Sequence, residues 1–327
     1  MSKASISPDS ILHGKRGKSP TKSRMKSKQI MNIVFRDRFL YLLALPGILF
    51  FIIFKYVPMW GLVIAFQNYS PYAGILKSDW VGLEHFARFF GNEDFYLLLR
   101  NTLAISTLNI LLFFPAPILF SIMLNEVRHM VFKRVVQTVI YFPYFLSWVI
   151  IAGLSFIMLG QSEGVVNAIL VFLGFDKIAF LTSPGLFWIM LTLQTIWKDA
   201  GFGTVIFLAA IAGIDPTLYE AAKMDGASRL KQIRHVTLPG IRNVIIVLLI
   251  LRLGDVMDVG FEQVFLMGSA AVSNVSDVFD TYVYRNGILN GEFSYTASVG
   301  LFKSFVGLIM VVAANKLAKM FGQDGLY

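Results

Sequence analysis

Long apolar segments alternate with shorter polar ones over most of this chain. Six of them match the roughly 20 apolar residues that a membrane-spanning helix requires. They begin near Phe39, Asn101, Val135, Phe187, Asn243 and Ala297. Pro115, Pro117 and Pro143 interrupt the second and third segments and predict kinks, because proline removes a main-chain hydrogen bond. The pattern therefore predicts an all-α polytopic membrane protein with six transmembrane helices.

Composition supports a membrane protein, and charge gives it an orientation. The chain is 56% hydrophobic and only 15% charged, more apolar than a soluble core of 327 residues requires. Its net charge of +9 suggests nucleic acid at first sight, but most Lys and Arg residues lie in alternate connecting segments, 1–38, 125–134, 214–242 and the stretch after Val312. The positive-inside rule then places both termini and residues 214–242 in the cytoplasm, and no nucleic-acid partner is expected.

The chain divides into a basic tail, residues 1–38, and a six-helix transmembrane domain, residues 39–327. The tail is rich in Ser, Lys and Arg and buries too little apolar surface to fold alone, so it is predicted to be disordered beside anionic membrane lipid. His13 to Ser19 superficially resembles a phosphate loop, but only two residues separate its glycines where four are needed.

One polar, basic loop, residues 214–240, lies between the fourth and fifth apolar segments. Asp215 is placed to cap a helix that begins at Pro216, and Asp225-Gly226 is placed to end it. Ser228 is expected to cap a second short helix that ends before Pro239. The first helix carries a small apolar face, which a loop outside the membrane buries only against another protein. Its members are Leu218, Ala221, Ala222 and Met224.

The same loop carries a motif of four separated elements. Glu220-Ala221-Ala222, three residues, Gly226, nine residues and Val236-Thr237-Leu238-Pro239 resemble the EAA signature of ABC-importer permeases. The only departure is Val236 where the family pattern has isoleucine. The resemblance implies a coupling helix that docks in a groove of a separate ATPase subunit. The residues it assigns to coupling are Asp215, Tyr219, Glu220, Ala221, Ala222, Asp225, Gly226, Leu238 and Pro239.

A second stretch extends the resemblance to nearly all of the chain after the tail. Phe39 to Phe90 and Tyr141-Phe142-Pro143-Tyr144 are similar to the polysaccharide branch of the maltose-type permeases. The family implies a type I ABC-importer permease fold in the bacterial cytoplasmic (inner) membrane, with oligo- or polysaccharide as substrate. It also implies a second, similar permease subunit, a dimer of cytoplasmic ABC ATPase that carries the ATP and Mg, and an extracytoplasmic sugar-binding protein.

Charged residues inside the apolar segments are candidates for a translocation path. Lys198, next to Trp197, lies close to the middle of the fourth span, where a charge costs at least about 2.5 to 3.5 kcal/mol and should face protein or water. On the fifth span, four charges fall within about 120° of one helix face at 100° per residue. They are Arg252, Asp255, Asp258 and Glu262. The stripe suits either a hydrophilic path or an internal salt-bridge network, and its cations make an acidic sugar such as an alginate or pectin fragment a hypothesis.

No catalytic or metal-binding pattern is found in the sequence. The four His residues are scattered without paired spacing, cysteine is absent, and there is no nucleophile elbow or phosphate loop. The chain is therefore not expected to be an enzyme or to hold a cofactor. The rival interpretation is an ion-coupled secondary sugar transporter, but such transporters are built from internal repeats, and the two halves of this sequence show no convincing similarity.

Overall fold

A computed structural model describes residues 38–320 together with Gly322 and Gly325. Apart from Arg38, the predicted basic tail lies outside the described residues. The described residues divide into two units, the first ending at Trp60 and the second beginning at Gly61. Among the described residues helices dominate, and the strands form a two-stranded antiparallel ribbon in which Gln67 pairs with Trp80 and Asn68 with Asp79.

Helix α1 (Arg38–Phe51) continues as a π-helical turn (Ile52–Tyr56) and a 3-10 helix (Val57–Phe66). The second unit contains, in chain order, β1 (Gln67–Asn68), β2 (Asp79–Trp80), α2 (Glu84–Phe90), α3 (Asp94–Leu108), α4 (Pro115–Glu126), α5 (Met130–Tyr141), α6 (Trp148–Leu159), α7 (Val165–Phe172), α8 (Pro184–Ala212), α9 (Pro216–Met224), α10 (Arg229–Gln232), α11 (Leu238–Gly240), α12 (Arg242–Gly254), α13 (Phe261–Met267), α14 (Ser273–Ser276), α15 (Phe279–Val283) and α16 (Phe293–Met320). Further π-helical turns are Asn109–Phe113, Ile233–Thr237 and Tyr284–Leu289, and further 3-10 turns are Phe142–Phe145 and Ala270–Val272.

Among the described residues, four helices are long and apolar enough to cross a membrane, and there are six spans if each of two bent helix pairs counts as one. Four are continuous and apolar, Arg38–Phe66, Asp94–Glu126, Pro184–Ala212 and Phe293–Met320. The shortest, at 28 residues, is roughly 42 Å long at 1.5 Å per residue, which exceeds the bilayer's hydrocarbon thickness of about 30 Å. Two further spans are bent pairs: Met130–Phe145 with Trp148–Leu159, at 104°, and Arg229–Gly240 with Arg242–Gly254, at 60°.

The prolines act differently in the second and third spans. In the second, a π-helical turn ends in front of Pro115, where the Phe114 amide donates to the Asn109 carbonyl at 2.9 Å, and the helix continues without a sharp break. In the third, Pro143 lies in a 3-10 turn, and α6 restarts at Ser147, whose hydroxyl accepts from the Ile150 amide at 3.4 Å. The predicted break is therefore found in the third span only.

Three apolar clusters form the core of the second unit. One surrounds the start of α8 and includes Phe187, Leu191 and Val264. Another joins α2 to α15 and α16 through edge-to-face contacts of Phe89 with Phe279, at 5.9 Å between ring centroids. The third lies at the end of α8. In its most apolar window α8 is 39% buried, against 17% for α16, and it packs against the helices of the second and third spans.

The fifth span departs from the prediction. Helix α12 ends at Gly254, and Gly260 adopts a left-handed φ of 88° before α13 begins. A side-chain carbon at Gly307 would lie 2.5 Å from the Gly254 carbonyl oxygen, so α12 and α16 approach backbone to backbone there.

Candidate functional site

The loop that joins α8 to α12 has the predicted geometry at its first helix. Asp215 accepts a hydrogen bond from the Thr217 amide at 2.9 Å, which satisfies one of the free donors at the start of α9. These hydrogen bonds lower the pKa of the Asp215 carboxyl. Two hydrogen bonds close the other end, Gly226 amide to Lys223 carbonyl at 3.0 Å and Ala227 amide to Ala222 carbonyl at 2.9 Å. This is a Schellman motif, and it requires the φ of 73° that Gly226 adopts.

The second half of the loop is anchored to the first and to the second span. The Tyr219 hydroxyl lies 3.0 Å from the buried Thr237 hydroxyl, and Arg229 forms an ion pair with Glu126 at the end of α4. Ser228 precedes α10 without a side-chain hydrogen bond. The prediction of a helix ending before Pro239 is wrong, because α10 continues through the π-helical turn Ile233–Thr237 into α11 and the helical stretch ends at Gly240.

The loop presents an apolar surface to its surroundings. Leu218 is 52% exposed, Leu230 75% and Met224 89%, and Ala221 and Glu220 are exposed beside them. Asp225 and Pro239 are also exposed, whereas Tyr219, Ala222 and Leu238 are half-buried. Large apolar side chains that project from a short polar loop indicate a protein partner. The loop thus presents an exposed apolar surface held by its helix caps, and its role in docking and coupling stays a prediction.

Lys198 is buried on α8, and its charge is satisfied by the broken third span. Its ammonium donates to the Tyr144 carbonyl at 2.9 Å and lies 3.7 Å from the Asp199 carboxylate. It also lies over the rings of Tyr144 and Trp148, at 5.3 and 5.6 Å from their centroids. Trp197 points elsewhere, to an apolar surface groove of about 670 Å³ between α6 and α8. The structure therefore separates these two predicted path residues.

The four charges predicted on one face of the fifth span do not share a helix. Arg252 lies in the last turn of α12 with its guanidinium over the Phe113 ring at 5.4 Å. Asp255 follows the helix end, Asp258 accepts from the Gly260 amide at 3.2 Å, and Glu262 lies in the first turn of α13. The prediction of a continuous charged stripe on one helix face is therefore wrong. Glycines at 254 and 260 replace the regular 100° progression with a turn.

Two of those acids line a cleft together with Lys303, a lysine whose partner the sequence does not reveal. Asp255 and Asp258 border a cleft of about 630 Å³ between α12 and α16, together with Lys303. Lys303 forms an ion pair with Asp280 of α15. The signal in the sequence was a lysine inside the last apolar span, since such a charge needs a partner. Its partner, 23 residues earlier, was not recognisable from spacing.

A buried polar cluster joins α6, α8 and α13. The Gln263 side-chain amide donates to Oε1 of Gln194 at 3.0 Å, and the Gln194 side-chain amide donates to the Ser155 hydroxyl at 2.8 Å. The Thr195 hydroxyl donates to Oε1 of Gln263 at 3.1 Å. Hydrogen bonds between membrane helices of this kind hold them in register. Isolated glutamines in apolar segments were the only sequence signal, and it was missed.

Fold and loop together define a class: a polytopic helical membrane protein with an exposed, apolar, helix-capped loop between two of its spans. The sequence profile of the binding-protein-dependent transport system inner membrane components matches residues 113–323. The chain therefore belongs to this family, the permease subunits of ABC transporters, as the EAA motif predicted.

Relatives and solved structures agree with this assignment. The polygalacturonan/rhamnogalacturonan transport system permease protein YteP of Bacillus subtilis (strain 168) is 53% identical over 92% of this chain and 94% of its own length. Protein LplB of the same organism is 49% identical over 96% of this chain and 98% of its own length. A chain of a bacterial alginate ABC transporter, solved in complex with an alginate pentasaccharide-bound periplasmic protein, superimposes with a TM-score of 0.83 at 39% identity. The match covers 91% of this chain and all of that one.

Proposed function

We propose that this chain is one of two membrane-spanning subunits of a bacterial inner-membrane importer for acidic oligo- or polysaccharides. Its 53% identity to a polygalacturonan/rhamnogalacturonan permease over nearly the full length of both chains carries the proposal. Similarity to a chain of an alginate transporter supports the same substrate class, because both kinds of polymer contain uronic acids. An extracytoplasmic sugar-binding protein delivers the substrate.

The proposed energy source is a separate dimeric ATPase that holds ATP and Mg and docks on residues 214–240. The exposed Leu218, Met224 and Leu230 supply the apolar contact, and Glu220 lies beside them for a basic group of the partner. Closure of the ATPase dimer moves the loop. Because α8 ends and α12 begins within a few residues of it, both helices move with it, and the cavity between the two permease subunits changes the side to which it opens.

The proposed path residues contribute differently. The Lys198 ammonium already has a carbonyl and a carboxylate beside it, so its primary role is to hold α8 against the broken third span. Arg252, packed on Phe113 at the end of α12, and the cleft with Asp255 and Asp258 remain the candidates for contact with the path. The acidic-substrate proposal therefore rests on the relatives more than on Lys198.

Transport by the reconstituted complex tests the proposal. Proteoliposomes that contain this chain, its partner permease, the ATPase and the binding protein should accumulate trigalacturonate only when ATP and Mg are supplied to the ATPase side. Omission of the ATPase should abolish uptake. Accumulation by this chain alone, driven by a proton or sodium gradient, would instead establish the rival secondary transporter.

A further inference from the structure

A small polar pocket of about 270 Å³ opens beside α13, outside the residues assigned to coupling or path. Four hydroxyl side chains border it, from Ser269, Ser273, Ser276 and Thr281. An aromatic ring, Phe265, and an ion pair complete the wall. Concave sites that combine an aromatic surface with a few converging polar groups are typical of small-ligand binding.

The pocket lies at the far end of the molecule from the docking loop. The segment that forms it is fixed to the start of α8, where the Trp188 indole donates to the Val275 carbonyl at 2.8 Å. Helix α8 runs from there to Ala212, next to the loop, over roughly 36 Å at 1.5 Å per residue. If the loop faces the cytoplasm, the pocket is on the side at which a binding protein delivers substrate.

Arg285 is held in the pocket wall with part of its guanidinium free. It makes two hydrogen bonds to Asp277, of 3.2 and 2.6 Å, and its side chain is 48% exposed. The Asp277 side chain is only 18% exposed and also accepts from the Thr281 hydroxyl at 2.8 Å. A guanidinium has five N–H donors, so a fork remains for a second carboxylate. Asp277 thus fixes the orientation of Arg285 without using all its donors.

The aromatic side of the pocket is rigid. Phe265 is half exposed, stacks on Phe261 at 5.2 Å between centroids, and meets the Tyr284 ring edge-on at 5.2 Å. A ring held on two sides offers a flat surface at little entropic cost. A uronic acid has the complementary parts: an apolar face, several hydroxyls and one carboxylate.

We infer that this pocket binds one uronate unit of an acidic oligosaccharide at the outer entrance of the transporter, with Arg285 receiving the carboxylate and Phe265 the sugar face. The inference rests on the proposed function and adds a site to it. The serine hydroxyls of Ser269, Ser273 and Ser276 serve the ring hydroxyls, because the Thr281 hydroxyl is already engaged by Asp277 and the Val278 backbone. Such a subsite raises the local concentration of substrate that has left the binding protein.

Equilibrium binding to the assembled transporter in nanodiscs, without binding protein or nucleotide, tests the inference. The probe is fluorescently labelled trigalacturonate, and labelled maltotriose is the neutral comparison. Arg285→Gln should weaken trigalacturonate binding about tenfold, the effect of losing one charge-assisted hydrogen bond, and leave maltotriose unchanged. Arg285→Lys keeps the charge beside Asp277 but loses the fork, so it should give a smaller loss.

Arg88→Gln is the matched control, because Arg88 is another half-exposed arginine paired with a carboxylate, Glu292 at 2.9 Å, and does not line the pocket. It should bind trigalacturonate like the wild type. Equal binding by wild type and Arg285→Gln, or no wild-type binding, overturns the inference even if ATP-driven trigalacturonate uptake is intact. Absence of that uptake with an active ATPase overturns the proposed function instead.

Discussion

Substitution of Gly226 separates backbone geometry from side-chain contact in the docking loop. Gly226 holds φ at 73°, and a side-chain carbon built there meets no atom within 4 Å. Within this chain, any penalty of a substitution therefore comes from the left-handed conformation. For alanine this costs about 1 to 2 kcal/mol; asparagine tolerates it better, and valine, branched at Cβ, fares worse.

This conformational penalty destabilises the turn that ends α9. A turn forced out of the left-handed region loses the two hydrogen bonds that close the helix, each worth about 1 kcal/mol net. A cost of about 1.4 kcal/mol lowers the population of the native turn roughly tenfold against its alternatives. ATP-driven uptake in proteoliposomes should therefore fall in the order glycine, asparagine, alanine, valine, with fewer sugars imported per ATP hydrolysed.

Gly74 supplies the control, since it has the same φ of 73° and the same open surroundings but lies between β1 and β2. Gly74→Val should carry a similar conformational penalty and leave the number of sugars imported per ATP unchanged. Equal uptake by the four residues at position 226, or an asparagine variant as defective as valine, would refute the argument from backbone conformation.

Three further predictions concern charged groups. The folded state lowers the pKa of Asp215, so its carboxylate should stabilise α9 fully above the ordinary aspartate pKa and lose this effect as pH falls below about 4. Amide NMR of the detergent-solubilised chain should show this transition, and Asp215→Asn should remove it. Lys303→Met should destabilise the protein by about 3 to 5 kcal/mol, since it leaves the Asp280 carboxylate largely buried and unpaired. Adding Asp280→Asn should restore much of the lost stability, as measured by thermal unfolding. Arg229→Glu should reduce uptake, and the charge swap of Arg229→Glu with Glu126→Arg should recover it. The exposed pair contributes only about 0.2 to 1 kcal/mol to stability. No recovery would show that the pair does not position the loop.

The number of spans and the geometry of the first docking helix were predictable because local rules decide them. Apolar length sets the spans, and Asp215 and Gly226 stand where a helix cap and a left-handed residue are needed. The break in the third span followed from Pro143. The continuity of the second span did not follow from Pro115, because a widened turn ahead of it removes the clash.

Partners distant in sequence were the part that could not be predicted. Periodicity assumes a continuous helix, so the end of α12 at Gly254 invalidated the predicted stripe. Lys198 was correctly expected to face protein, but its acceptor is a main-chain carbonyl 54 residues away, exposed only because the third span is broken. The pocket at Arg285 arises from several short helices whose packing no local pattern specifies.

The contact between Lys198 and Tyr144 also bears on how the chain enters the membrane during synthesis. The ribosome completes the third span before the fourth, so the Tyr144 carbonyl is in the bilayer when Lys198 leaves the translocon. A lysine that would otherwise cost about 2.5 to 3.5 kcal/mol on insertion meets its acceptor on arrival. The fourth span should thus integrate efficiently behind the broken third span and poorly behind an unrelated one, which glycosylation mapping of nascent chains can measure.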